Sequence, residues 1–303
     1  MEERESSYHV PVLLNEVMEY LNVKPSGIYV DCTFGGGGHS RGILQKLKDG
    51  KLVAFDQDAD ARQNLPEDDR VIFVPQNFRH LQRFLRLNGI TEVDGVLADL
   101  GVSSHQFDEA SRGFSIRYDA SLDMRMDQRS EKTAAAILNT YGEAELHKLF
   151  EQYGEVTNSK TLAKLVVEKR KTAPFQSSEA FRDTVFSAVK GNPNKYFAQV
   201  YQALRMEVNE EVPALKEMLQ QLSAVLKKGG RAAIITFHSI EDRLVKTFFN
   251  RETFVTEEEN PFVSVEITRH LKKVNKKPIV ATESEVRLNP RARSAKLRVA
   301  EKI

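Results

Sequence analysis

Apolar and polar positions along the chain fall into two rhythms. Short apolar runs at 28–31, 52–55, 71–74 and 93–101 alternate with stretches where apolar residues recur every three or four positions. The runs predict buried strands. The stretches predict amphipathic helices: residues 8 to 23, carrying Val12, Leu13, Val17, Tyr20 and Leu21; a helix from Ser40, carrying Ile43, Leu44 and Leu47; and one marked by Leu81, Phe84, Leu85 and Leu87, stopped by Asn88-Gly89. From 131 to 202 no strand pattern intervenes, and helices are predicted around 134–138, 146–150, 159–170 and 178–189. Residues 202 to 226 read as one long amphipathic helix, with Lys227-Lys228-Gly229-Gly230 as its basic end and glycine stop. A fifth strand follows at 231–239. Ser239 and Asp242 fit the cap of the next helix, and 294–300 alternates like a closing edge strand.

Strand-helix alternation of this kind predicts an α/β fold with a mainly parallel sheet, doubly wound in the Rossmann manner. The block of helices between the fourth and fifth strands predicts an inserted, mainly helical domain. The expected division is 1–108 for the first part of the core, 109–202 for the insertion and 203–303 for the second part of the core with a basic tail.

Composition narrows the classes little. The 303 residues are 41% hydrophobic and 29% charged, ordinary for a globular protein with ample core. No apolar run approaches membrane-spanning length, and the acidic start Met1-Glu2-Glu3-Arg4-Glu5 lacks the apolar core of a signal peptide, so no membrane partner and a cytoplasmic location are expected. The single cysteine, Cys32, can form neither an internal disulfide nor a cysteine metal cluster, and no metal is expected. Net charge is +1, so any nucleic-acid binding must use local patches.

The candidate chemistry gathers after the first strand, at Asp31-Cys32-Thr33-Phe34 and four glycines, Gly35 to Gly38. Strand, glycine loop and helix form the first turn of a doubly wound sheet, where nucleotide-like ligands bind. The dinucleotide fingerprint fails in both registers, because Ser40 or Arg41 stands where its third small residue belongs. Asp31 would aim a carboxylate into the loop, suiting an amino-bearing ligand. Asp56 ends the second strand, where an acid commonly takes ribose hydroxyls. Phe78 follows the third strand and Asp99 ends the fourth, so three acids and an aromatic stand at successive carboxyl ends. His238 ends the fifth.

The segment 101–127 is dense in polar groups, glycine and aromatics and reads as irregular. Asp123 and Asp127 lack calcium-loop spacing and are expected to partner Arg125 and its neighbours. His147 reads as an ordinary surface histidine. Lys160, Lys164, Lys169, Arg170 and Lys171 form a basic run on the helices. From Arg269 to Arg298 ten Lys or Arg face two acids, a net +8, preceded by the acidic run Glu257-Glu258-Glu259. Such separation is what a local phosphate-binding face needs.

The motifs together resemble the RsmH/MraW family of bacterial methyltransferases. The resemblance runs from His9-Val10-Pro11-Val12 through Asp31 to Ser40, Asp99-Leu100-Gly101-Val102-Ser103-Ser104, Arg112-Gly113-Phe114-Ser115, Leu122-Asp123-Met124-Arg125-Met126-Asp127 and Phe237-His238-Ser239-Ile240-Glu241-Asp242-Arg243 to Arg291-Ala292-Arg293-Ser294. It implies a class I methyltransferase fold with S-adenosylmethionine as cofactor, and a reaction at N4 of a cytidine in 16S ribosomal RNA near the decoding centre. The implied substrate is that RNA within a small subunit or a late assembly intermediate, and a homodimer is left open. The cofactor contacts implied are Gly37, Gly38, His39, Asp56, Phe78, Asp99 and Gln106. His105 stands where many members have proline, and residues 192–200 depart from a more basic pattern.

The chemistry asks for little machinery. The donor's methyl group is already activated, and the protein must align it with the attacking atom and exclude water. A cytosine amino group is a poor nucleophile, so an acceptor near its hydrogens would help. Asp99 or the Ser103 or Ser104 hydroxyl stands at the fourth strand end for that role, and His238 is placed to assist proton loss. The amino-methylase signature of Asn, Asp or Ser before Pro-Pro and an aromatic is absent. Asp99-Leu100-Gly101-Val102 occupies its place. A small-molecule methyltransferase would leave the basic tail and the insertion unexplained, and a nicotinamide-binding protein fails at Ser40 and Arg41.

Overall fold

The computed structural model describes residues 11–254 and 269–303. The start Met1 to Glu5, His9-Val10 and the acidic run Glu257-Glu258-Glu259 lie outside the described residues. The chain folds as two compact units, one of residues 1–101 with 213–303 and the other of residues 102–212. The second unit therefore begins before the expected 109 and ends after the expected 202, because the chain leaves the sheet at Gly101 and the helix at 202 runs on.

The first unit opens with α1 (Leu14–Tyr20), β1 (Ile28–Asp31), α2 (Gly38–Lys46), β2 (Lys51–Phe55), β3 (Val71–Val74), α3 (Leu81–Leu87) and β4 (Val93–Asp99). α2 begins at Gly38, two residues before the expected Ser40, because the last glycine of the loop already belongs to its first turn. The β2–β3 crossover carries a 3-10 turn at Ala59–Asn64 in place of an α-helix. Leu87 is 68% exposed and takes no part in the core that Leu81 and Leu85 enter.

The second unit holds α4 (Ser104–Asp108), α5 (Ala134–Thr140), α6 (Glu143–Gln152), α7 (Ser159–Lys169), α8 (Ser178–Val185) and α9 (Pro193–Val208). Their apolar faces close one core around Leu138, Phe150, Leu162, Phe181 and Leu204. Asp123 takes both guanidinium ends of Arg125 at 2.8 and 2.7 Å, and Asp127 likewise holds Arg129, so these acids serve arginines as their spacing suggested. Arg170 of the basic run donates to the Leu138 and Tyr141 carbonyls and ties helices together. His147 sits beside Glu151 at 3.8 Å on the surface of α6.

The chain then returns through α10 (Glu211–Val225), β5 (Leu226–Thr236), α11 (Ser239–Arg251), β6 (Leu271–Lys273), β7 (Ile279–Val280), α12 (Glu283–Leu288) and β8 (Lys296–Lys302). The single helix expected over 202–226 is two. Asn209 ends α9: its amide donates to the Met124 carbonyl at 2.8 Å and its oxygen accepts from Met126 N–H at 2.7 Å. Glu210 takes φ +49, and Pro213 falls in the first turn of α10, where a missing N–H costs nothing. Lys227 to Gly230 do not stop a helix. Val93 pairs with Leu226 and Gly95 with Arg231, so these four residues bulge from β5, with Gly229 at φ +77.

The sheet order is β3-β2-β1-β4-β5-β8-β6, with β7 also on β8. β1 to β5 are parallel, and β8 runs antiparallel to β5. Side chains alternate between two cores, Val30, Val53, Val96 and Ile234 against α3, α10 and α11, and Tyr29, Leu52, Leu97 and Ile235 against α1 and α2. The expected edge strand is instead an interior one: β6 and β7 cover β8. Its polar position Arg298 is only 8% exposed and is answered by Asp242 at 2.7 and 3.1 Å.

Candidate active site

Parallel strands turn their carboxyl ends to one edge, and the chain spends its polar residues there. β1 ends in Asp31, β2 is followed by Asp56, β4 ends in Asp99 and β5 is followed by His238. Asp31 is not a free carboxylate facing the loop. It is buried, accepting the Ser40 hydroxyl at 2.7 Å and the Thr33 amide at 3.1 Å. Ser40, which breaks the dinucleotide fingerprint, is thus the residue that fastens α2 to β1. Burial pushes the Asp31 carboxyl up, against the pull of His39, Ser40 and Thr33.

The glycines answer to the protein as well as to any ligand. Gly35 and Gly37 take φ +49 and +72, where side chains are strained. A β-carbon at Gly37 would meet the Phe34 ring at 2.9 Å, and one at Gly38 would collide with the Pro11 ring. The glycine run by itself therefore does not demand a ligand.

The acids carry that argument better. Asp56 receives the Gly35 amide at 2.7 Å and the Asp58 amide at 2.8 Å, and holds the loop in shape. Burial raises its carboxyl to about 7, opposed by those two amides. The Asp99 side chain remains 25% exposed, yet its Oδ1 is sealed from solvent and has no hydrogen-bond partner among the described residues. Burial raises Asp99 to about 6; His39 pulls it down, while Asp31 and Glu241 push it up. His39 places Nε2 2.9 Å from the Val12 carbonyl and Nδ1 3.6 Å from Asp99 Oδ2. The Thr33 hydroxyl accepts the Asp99 amide at 2.7 Å. A buried acceptor without a donor costs free energy, and a ligand carrying N–H or O–H groups removes that cost.

Phe78 opens the 3-10 turn Phe78–His80 and packs half-buried against the core. His238 corrects one expectation. It, not Ser239, caps α11: Nδ1 receives the Glu241 amide at 3.5 Å, and Nε2 lies 3.1 Å from Glu241 Oε1, off the line of a hydrogen bond. Glu241 is buried and also accepts the Phe237 amide at 2.8 Å. Sequence reasoning passed over Glu241, although an acid three residues after a cap is a recognisable signal. Asp242, expected in the cap, serves Arg298.

Gly37, Gly38, His39, Asp56, Phe78, Asp99 and His238 all belong to the first unit. Ser103 and Gln106 belong to the second, where they form a capping box on α4: Ser103 Oγ accepts the Gln106 amide at 3.2 Å, and Gln106 Oε1 accepts the Ser103 amide at 3.0 Å.

S-adenosylmethionine suits the first unit's groups. Asp56, fixed by two backbone amides, keeps acceptor capacity that ribose hydroxyls would use, and half-buried Phe78 would suit an adenine ring.

Comparison with known proteins agrees. The MraW methylase family model matches residues 6–303. A relative from Cytophaga hutchinsonii, "Ribosomal RNA small subunit methyltransferase H", is 53% identical over 298 residues, covering 97% of this chain and 99% of that one. One of the same name from Parabacteroides distasonis is 51% identical over 307 residues, covering 100% of both. A third, from Christiangramia forsetii, is 52% identical and covers 98% of each. With matches of this length at half identity, laid over this strand edge, the chain belongs to the MraW methylase family and is an S-adenosylmethionine-dependent methyltransferase.

Proposed function

We propose that this chain methylates the exocyclic N4 amino group of a cytidine in small-subunit ribosomal RNA, within a small subunit or a late assembly intermediate. The observation that carries the reading is Asp99 Oδ1, a buried acceptor lacking a donor among the described residues, at the carboxyl edge of the sheet. The full-length relatives named for small-subunit ribosomal RNA support the substrate class. A ribosomal substrate goes with a cytoplasmic protein. Among the described residues no helix is long and apolar enough to cross a membrane.

S-adenosylmethionine, when bound, supplies an activated methyl group. The chain's own residues do the rest. Asp56, already fixed by two backbone amides, presents its remaining acceptor capacity to hydroxyls. Gly37, Gly38 and His39 shape the loop and the first turn of α2, and Phe78 offers an apolar face. Asp99 accepts an amino hydrogen and holds that nitrogen in place, which favours its lone pair for attack. His238 Nδ1 accepts the Glu241 amide, so in the neutral ring Nε2 carries the hydrogen beside Glu241, and the side chain serves to cap α11.

Cys32 separates N4 from carbon 5. Methylation at carbon 5 requires a thiolate to add to the ring. Cys32 is 2% exposed in the core, and burial, with Asp31 adding to it, pushes its thiol well up. Direct attack by the amino nitrogen needs no thiolate. Incubating the full chain with methyl-labelled S-adenosylmethionine and unmethylated small subunits, or the same RNA stripped of protein, tests the reading. Label entering small-subunit RNA supports it, and label in neither substrate contradicts it. A homodimer is tested in the same preparation by light scattering.

A further inference from the structure

We infer that the outward face of α3 is a second RNA-docking surface that grips substrate phosphates beside the ligand edge. The inference rests on the RNA-methylation reading and extends it to a surface outside the basic tail. Four residues of this face and the turn before it, His80, Arg83, Arg86 and Leu87, are exposed. They line an open groove of about 480 Å³ with Arg79, Gln82 and Gln221, and among the described residues no carboxylate lines it.

The floor of this groove is braced from within. Arg79 is held bidentate by Glu217 at 2.8 and 2.6 Å. The Gln221 side-chain amide accepts from the Gln82 N–H and donates to the Arg79 carbonyl, each at 2.8 Å. Arg83 and Arg86, three residues apart on one helix face, form no ion pair among the described residues. Two arginines left without carboxylates on a fixed base, in a protein of net charge +1, mark a local site for an anion.

Guanidinium groups match phosphate geometry and stack on bases, which favours RNA as the occupant. Among the described residues Leu87 is the one large exposed apolar side chain of the groove, too little to drive docking of a protein. The face also follows Phe78 directly in the chain, and α3 leads away from the turn that closes β3 at the carboxyl edge of the sheet.

The test compares full-length protein with the Arg83→Gln/Arg86→Gln double variant, using a protein-free small-subunit RNA transcript and assembled subunits. Affinity is read across a salt series, methyl transfer by KM and kcat, and cofactor-site integrity by calorimetry with S-adenosylhomocysteine. The expected result is a several-fold rise in KM for RNA with kcat and S-adenosylhomocysteine affinity unchanged. The salt slope should become shallower by about 0.7–0.9 for each phosphate that the variant no longer neutralises. An unchanged slope and KM overturn the inference. So does a weakening confined to assembled subunits, which would assign the face to an acidic protein. If the unaltered protein binds RNA but transfers no methyl group, the parent reading fails, and the salt slope still decides for this face.

Discussion

His39 and Asp99 face each other across the first turn of α2, with Nδ1 3.6 Å from Oδ2. His39 Nε2 meets a carbonyl, that of Val12, so this nitrogen carries a hydrogen while Nδ1 faces Asp99. Asp99 is raised to about 6 and Asp56 to about 7, both from 3.8. A carboxyl raised in the folded state contributes stability below its unfolded value and loses it as pH rises through the folded value. The ligand-free protein should therefore become less stable between about pH 4 and pH 7. Asp99→Asn should flatten that fall and raise the melting temperature at pH 8, by about 2–4 °C per kcal/mol regained. A steeper fall in the variant would contradict the assignment. The same acids should make S-adenosylmethionine bind better above pH 7 than at pH 5.5.

Asp56→Ala should weaken S-adenosylmethionine binding by about 1.5–3 kcal/mol, the scale of hydrogen bonds to a charged group. The Gly35 and Asp58 amides also lose their acceptor, so melting should be measured beside calorimetry. Unchanged affinity in a folded variant would remove Asp56 from the site.

Arg298 and Asp242 join β8 to α11 in a nearly buried ion pair. Arg298→Ala leaves Asp242, among the described residues, with Lys296 alone, at 3.4 Å. Urea denaturation should show a loss of about 3–5 kcal/mol, the usual cost of breaking such a pair from one side. Arg298→Met with Asp242→Leu should recover much of it. A double variant as unstable as the single one would show that packing, not charge, is at stake.

The lysines of the tail are unequal. Lys272 is bound to Glu301 at 3.0 Å, while Lys273, Lys276 and Lys277 are without a carboxylate partner among the described residues. Replacing these three should flatten the salt dependence of RNA binding by about 2–3 in slope, with cofactor affinity unchanged. Replacing Lys272 alone should do little. Equal effects from all four would mean that the Glu301 pair is not kept in solution.

The strands and the acids at their ends were legible because both follow local rules, apolar runs and the carboxyl-edge position. What stayed hidden depends on partners distant in sequence. Asn209 breaks a helical pattern because Met124 and Met126 need its amide. β8 reads as an edge because nothing in 294–300 announces β6 and β7 beside it, and its arginine looks solvent-facing until Asp242 is placed. Asp31 reads as a ligand group until Ser40 takes it, and Asp99's empty oxygen depends on His39 and Thr33 occupying the rest of its neighbourhood. The glycine loop misled in its reason: Phe34, Pro11 and two positive φ angles already require Gly35, Gly37 and Gly38.

The most direct test is the identity of the methylated nucleoside. Small-subunit RNA methylated by the unaltered protein and by Cys32→Ala is digested and resolved by mass spectrometry against standards. N4-methylcytidine from both, with substantial activity kept in the variant, is the predicted result, because the buried thiol takes no part in the chemistry. A 5-methylcytidine product, or absence of methylation by a folded Cys32→Ala protein, would contradict it.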